Sequence, residues 1–135
     1  TNEILINNNN YILLNYNNFN NILNNSIDFV YSFIVFQHLK SIDVLIDYLI
    51  KINSILSING CGIIFFGKLC ESNENNYIIH NQTNYRNINL LIKPSYCKIL
   101  VERYFNIIEI NTSLTSKLWN NKKSFQFYIK FKNKM

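Results

Sequence analysis

A chain of 135 residues, 48% apolar and 16% charged, has the material for the core of one domain and lacks the composition of a disordered segment. Its net charge of +5 suggests a nucleic-acid partner, but 11 of its 13 basic residues are Lys, so the guanidinium chemistry that reads base edges is poorly supplied and a solvated basic edge is the better reading. No apolar run approaches the roughly 18 residues a membrane helix needs, no secretory signal pattern opens the chain, and Cys61, Cys70 and Cys97 have neither metal nor disulfide spacing. Reduced thiols and a cytoplasmic location are therefore expected, with no membrane partner.

The chain holds 26 Asn and no Ala, the mark of an AT-rich coding bias, so its Asn runs read as polar faces and loops. It starts at Thr1 rather than Met, from which the start of a longer protein is expected to be absent. Ile4 to Ile6 is too short to classify, and Tyr11 to Leu14 suits a short buried strand. Phe19, Ile22 and Leu23 fit one helical turn or a packed loop.

Ile27 to Val35 is β-branched, aromatic and almost continuously apolar, which predicts a central strand covered on both faces, as in a parallel sheet. Ile42, Leu45, Ile46, Leu49, Ile52, Ile55 and Leu56 recur at helical spacing and predict a helix over 41–56, with Ser41 as N-cap and Asp43 at its positive end. Asn59-Gly60 is expected to stop and reverse the chain, and Ile63 to Phe66 to form a second buried strand. Strand, helix and strand in this length make a parallel crossover unit.

The pattern dissolves between Lys68 and Asn89, a long irregular segment of the kind that often carries function. Helical spacing returns from Ser95 to Phe105 behind Pro94, and Asn106 to Thr112 reads as a strand. Phe125, Phe127, Ile129 and Phe131 alternate with polar residues in period two, which predicts a half-exposed antiparallel or edge strand guarded by lysines.

One phrase adds to this reading: Ser26-Ile27-Asp28-Phe29-Val30-Tyr31-Ser32, then Val35-Phe36-Gln37-His38-Leu39, Tyr48-Leu49 and Ile52 to Leu56 leading into Asn59-Gly60-Cys61-Gly62. It resembles the later half of a class I S-adenosylmethionine-dependent methyltransferase. The implied fold is α/β: an incomplete Rossmann-like methyltransferase sheet in one partial domain, residues 1–135, with parallel core strands and an antiparallel C-terminal strand pair. The family's glycine-rich turn and its ribose-holding acid have no counterpart before Asp28. The resemblance makes Tyr11 to Leu14 its third strand and leaves the middle of the sheet to be supplied from elsewhere.

The implied cofactor is S-adenosylmethionine. Ser32 and Phe33, at the carboxyl end of the Asp28 strand, would border its methionine part, with Gln37 close by and Asn15 and Asn17 beside the adenine. His38 is the candidate general base; the alternative is that it fixes its loop through a hydrogen bond. Asp28 reads as a structural acceptor of backbone amides rather than an acid. His80, Tyr77, Tyr85 and Arg86 lie where the family shapes substrate choice. The methyl acceptor, small or macromolecular, is not named by the sequence, and this chain alone is expected to be inactive. A partner subunit or an upstream segment is expected to supply the rest, and the rival reading is a non-catalytic interaction module derived from a methyltransferase.

Overall fold

The structure, a computed structural model, describes residues 17–80, 88–116 and 122–135. The predicted elements at Ile4 to Ile6 and Tyr11 to Leu14 lie outside the described residues. A 3-10 turn at Phe19–Asn21 leads into β1 (Ile27–Ser32), a second 3-10 turn at Phe36–His38, and helix α1 (Ile42–Ile55). Strand β2 (Leu56–Gly67) follows, then β3 (Tyr77–Ile79), β4 (Leu90–Ile92), helix α2 (Pro94–Glu102) and β5 (Phe105–Asn111). The short strands β6 (Thr115–Ser116) and β7 (Lys122–Lys123) precede the last strand, β8 (Gln126–Asn133).

Among the described residues four strands form the main sheet, in the order β1-β2-β8-β5. β1 and β2 are parallel, as the crossover through α1 requires, and β8 runs antiparallel to both its neighbours. The period-two strand is therefore antiparallel as predicted, yet it is interior and not an edge. Its apolar side chains Phe127, Ile129 and Phe131 are buried, while Lys130 and Lys132 stay in solvent on the other face. Alternation reports a strand with one wet face; it does not report whether the backbone has neighbours on both sides.

α1 begins where its chemistry says it should. The Val44 amide donates to Ser41 Oγ at 3.1 Å, Asp43 sits in the first turn, and Lys51 pairs with Asp47 one turn away at 3.2 Å. Its buried stripe of Leu45, Leu49, Ile52 and Ile55 joins Val30, Ile64, Phe66, Phe127, Ile129 and Phe131 from the sheet and Cys97, Leu100 and Val101 from α2 in one core. Burying each Leu or Ile of that stripe stabilises the fold by about 1.5–3 kcal/mol before entropy is counted.

The reversal after α1 differs from expectation. It happens at Leu56, extended at φ −71° and ψ 129°, and no glycine among the described residues has a positive φ. Asn59-Gly60 instead lies inside an irregular stretch where Asp28 alone on β1 faces Ser57 to Gly60 on β2. Gly60 is there for space: a Cβ would come within 2.7 Å of the Leu56 side chain. Asn133, buried in β8, holds the reversal by donating from Nδ2 to the Leu56 and Ser57 carbonyls at 3.1 and 2.9 Å.

β1 also departs from prediction. It ends at Ser32, Phe33 to Val35 lie exposed beyond it, and only Val30 is buried within it. Both helices contribute to the core on the Val30 side, and on the other side Phe29 and Tyr31 are more than half exposed, with the Tyr31 ring meeting Phe65 edge to face at 6.4 Å. Asp28 is exposed and accepts from the Ser57 hydroxyl at 3.0 Å; the backbone amides expected to donate to it do not.

α2 starts at Pro94, whose missing N–H costs nothing at a first helical position. The next amide, that of Ser95, donates to Glu71 Oε1 at 2.8 Å, and the Ser95 hydroxyl to Oε2 at 2.6 Å. A carboxylate from the irregular segment thus caps the helix and ties that segment to the domain.

Candidate functional site

In a parallel pair the carboxyl ends of the strands open onto one edge, and here the edge is built by Ser32 at the end of β1, Gly67 at the end of β2 and Gln126 at the start of β8. Gly67 and Gln126 stand opposite each other in the ladder. The loop after β1 is pinned over this edge by Phe36, 3% exposed, whose ring packs on Phe66 at 5.5 Å and Tyr48 at 5.4 Å. Anchoring one aromatic in a loop holds the polar residues that follow it in place, and these are Gln37 and His38.

Ser32 Oγ is buried and is the sole buried side-chain polar atom among the described residues with no hydrogen-bond partner. Leaving a hydroxyl buried and unpaired costs about 1–3 kcal/mol, which makes this one, at the carboxyl edge of the parallel pair, a candidate site feature. Phe33 next to it is 43% exposed and meets Phe65 edge to face at 4.9 Å. Ile34 and Val35 continue the apolar rim in solvent.

Gln37 is held from three directions. Its side-chain oxygen accepts from Gln126 Nε2 at 2.7 Å, its Nε2 lies 3.3 Å from His38 Nε2, and its backbone carbonyl accepts from the Asn89 amide at 2.9 Å. Gln126 Nε2 also donates to the Phe33 carbonyl at 3.4 Å. The edge therefore gathers four of the sequence-predicted site residues, Ser32, Phe33, Gln37 and His38. Asn17 lies in the exposed turn before Phe19, and Asn15 lies outside the described residues.

Gln126 escaped the sequence reading. Its one signal was its place at the head of the alternating strand, and nothing local says that this strand inserts beside β2. Of the residues assigned to substrate choice, Tyr77 stacks on Tyr96 at 6.1 Å, and His80 donates its backbone amide to Asn89 at 2.7 Å from the end of β3, which pairs with β4. Tyr85 and Arg86 lie outside the described residues.

The cysteines are free and differ in setting. Burial pushes the Cys97 thiol well above its ordinary value, so it is an inert part of the core. Cys70 is exposed and held below its ordinary value, chiefly by the hydrogen bond with the Ser72 hydroxyl. No helix among the described residues is long and apolar enough to cross a membrane.

No protein-family model matches the chain, and no curated protein matches it. Among solved structures it is similar to the PH0226 protein from Pyrococcus horikoshii, with a TM-score of 0.56 and 12% identity over 84% of this chain and 54% of that one. TTHA0409 from Thermus thermophilus, described as a candidate DNA modification methylase and solved with S-adenosyl-L-methionine, gives a TM-score of 0.49 and 14% identity over 86% of this chain and 51% of that one. The M1.HpyAVI complex with S-adenosylmethionine gives 0.40 and 15% over 85% and 47%. The chain spans about half the length of the solved structures it matches. With its parallel β1-β2 pair and its reversed last strand inserted between β2 and β5, the described part of the chain has a partial class I methyltransferase fold.

Proposed function

We propose that this chain is the later half of an S-adenosylmethionine-dependent methyltransferase domain, completed by a segment that carries the glycine-rich cofactor turn. The observation that carries the reading is the buried, unpaired Ser32 Oγ at the carboxyl edge of the parallel pair, beside the half-exposed ring of Phe33. The fit to the cofactor is partial. Ser32, Phe33 and Gln37 suit the methionine end, whereas no G-x-G precedes Asp28 to bring backbone against the rest of the molecule.

The cofactor supplies a methyl group already activated on a sulfonium. What the protein adds is alignment of the acceptor, worth up to about 7–11 kcal/mol of barrier when reacting atoms are held in line. Ser32 would orient the amino-acid end of the cofactor, the Phe33 to Val35 rim would exclude water, and the Gln37-His38 turn would face the acceptor. The acceptor itself is left open by these groups.

The completing segment is proposed to pair along the outer edge of β1 and to cover the face that exposes Phe29 and Tyr31. Two features support it: β1 pairs with β2 alone, leaving a row of main-chain donors and acceptors free among the described residues, and the chain spans 54% of PH0226. Calorimetric titration with S-adenosylhomocysteine tests the reading. The 135-residue chain is expected to bind weakly or not at all, and a version extended upstream to bind tightly. Absence of binding in the extended version would sink the methyltransferase reading and favour the interaction module.

A further inference from the structure

The hydrogen bonds at the carboxyl edge run in one direction, and that direction fixes a proton. An amide side chain looks the same either way round, so which end is oxygen follows from its partners. The Phe33 carbonyl can only accept, so the end of Gln126 that faces it at 3.4 Å must be the NH2 group. The same nitrogen faces Gln37 at 2.7 Å, so Gln37 presents its oxygen there and its own NH2 group to His38. At 3.3 Å from that NH2 group, His38 Nε2 must be the acceptor. The imidazole then carries its proton on Nδ1.

We infer that Gln126 is a positioning residue that sets the tautomer of His38, acting from the last strand through Gln37. Flipping Gln126 would put its oxygen against the Phe33 carbonyl oxygen, and flipping Gln37 would put NH2 against NH2. Every member of the chain is therefore locked by the backbone carbonyl at its start. The Asn89 amide, 2.9 Å from the Gln37 carbonyl, and the buried Phe36 ring hold the turn that carries Gln37 and His38. The ring nitrogen left over is Nδ1–H, a donor with no partner among the described residues.

The consequence for chemistry rests on the methyltransferase reading. With Nε2 engaged by Gln37, His38 offers an N–H to an oxygen or other electron-rich atom of the acceptor, and no lone pair with which to take a proton. It orients the acceptor and is not the general base. The acceptors this suits are those whose nucleophile needs no deprotonation before transfer.

The experiment needs neither cofactor nor acceptor, so it is independent of the titration that decides the methyltransferase reading. The chain has two histidines, and His80→Gln leaves the signals of His38 alone in a two-bond 1H–15N correlation spectrum of the labelled protein. At about pH 8.5, where an unperturbed imidazole is neutral, the expected pattern is a protonated Nδ1 and an unprotonated Nε2. Gln126→Glu replaces the donor by a pure acceptor, so Gln37 turns over, its oxygen faces His38, and the two ring nitrogens exchange their shifts. Gln126→Leu releases Gln37 and gives a mixture of tautomers. An Nε2-protonated His38 in the parent chain, or one tautomer common to the parent and both variants, would overturn the inference. Should Gln126→Glu fail to fold, the parent spectrum and Gln126→Leu still decide it.

Discussion

On one face of the four-stranded sheet Val30, Ile64, Phe66, Phe127, Ile129 and Phe131 lie under two helices and are buried. On the other, Phe29 and Tyr31 stand 58% and 60% exposed, and Phe65 and Tyr128 make their ring contacts at 5.3 Å with no helix over them. The two faces of β1 and β2 are about equally apolar in sequence. What separates them is whether α1 and α2 can reach them, since α1 lies in the connection from β1 to β2 and α2 in the connection from β2 to β5, and both pack on the same side. A strand that is apolar on both faces expects two layers, and the described residues supply one. Among the described residues the open face is thus an exposed apolar patch, flanked by Lys130, its partner Glu109 at 3.1 Å, and Lys132.

Truncation on the two faces should separate them by the largest margin. Phe66→Ala removes a ring stacked on Phe127 at 5.4 Å and is expected to cost about 3–5 kcal/mol in urea unfolding. Tyr31→Ser, on the open face of the next strand, should move stability by no more than about 0.5 kcal/mol and should improve solubility. Equal costs would mean that the open face is already covered in the free chain. A smaller effect on the covered side comes from Gly62→Ala, whose new methyl would meet Phe131 Cζ at 2.5 Å and the Val30 carbonyl oxygen at 2.9 Å. Overpacking of that kind costs about 1–3 kcal/mol, and the same urea midpoint reads it.

These contrasts also mark what could be read from the sequence. The helix over α1 was legible to within a residue because cap, acidic first turn and apolar stripe agree on its start, and burying that stripe reinforces each of them. The parallel pairing followed from the length of the crossover. Hidden from the sequence was everything set by long-range neighbours: that β8 enters between β2 and β5, that Asn133 therefore reaches the Leu56 carbonyl, and that Gln126 lands beside Gln37. Val35 was read into β1 because continuous hydrophobicity cannot distinguish a strand from an exposed apolar rim. At the candidate site, Ser32, Phe33, Gln37 and His38 fall in one phrase of the sequence, whereas Gln126, which donates to Gln37, is 89 positions away from it.

Ser41→Ala tests whether α1 depends on its local cap or on the core beneath it. The hydroxyl satisfies the Val44 amide at 3.1 Å, and its loss should cost about 1 kcal/mol, lowering the urea midpoint without changing the slope. A null result would mean that the buried stripe alone defines where the helix begins.

The smallest effect expected comes from the cap of the other helix over the covered face. The Ser95 hydroxyl, and after it the Ser95 amide, hold the Glu71 carboxyl below its ordinary value of 4.5. A carboxylate whose folded value is depressed contributes stability that is present above the unfolded value and is lost as pH falls through the folded one. The contribution from Glu71 is therefore complete above pH 4.5 and disappears below it. Because the group is exposed, solvent screening keeps it to roughly 1 kcal/mol or less. Glu71→Gln should thus lower the urea midpoint slightly at about pH 7, and the difference from the parent chain should close as pH falls through the folded value. A difference that persists at the acid end would assign the effect to packing of the irregular segment. One that vanishes would show that the carboxylate charge at the start of α2 fastens this segment to the helix-covered side of the sheet.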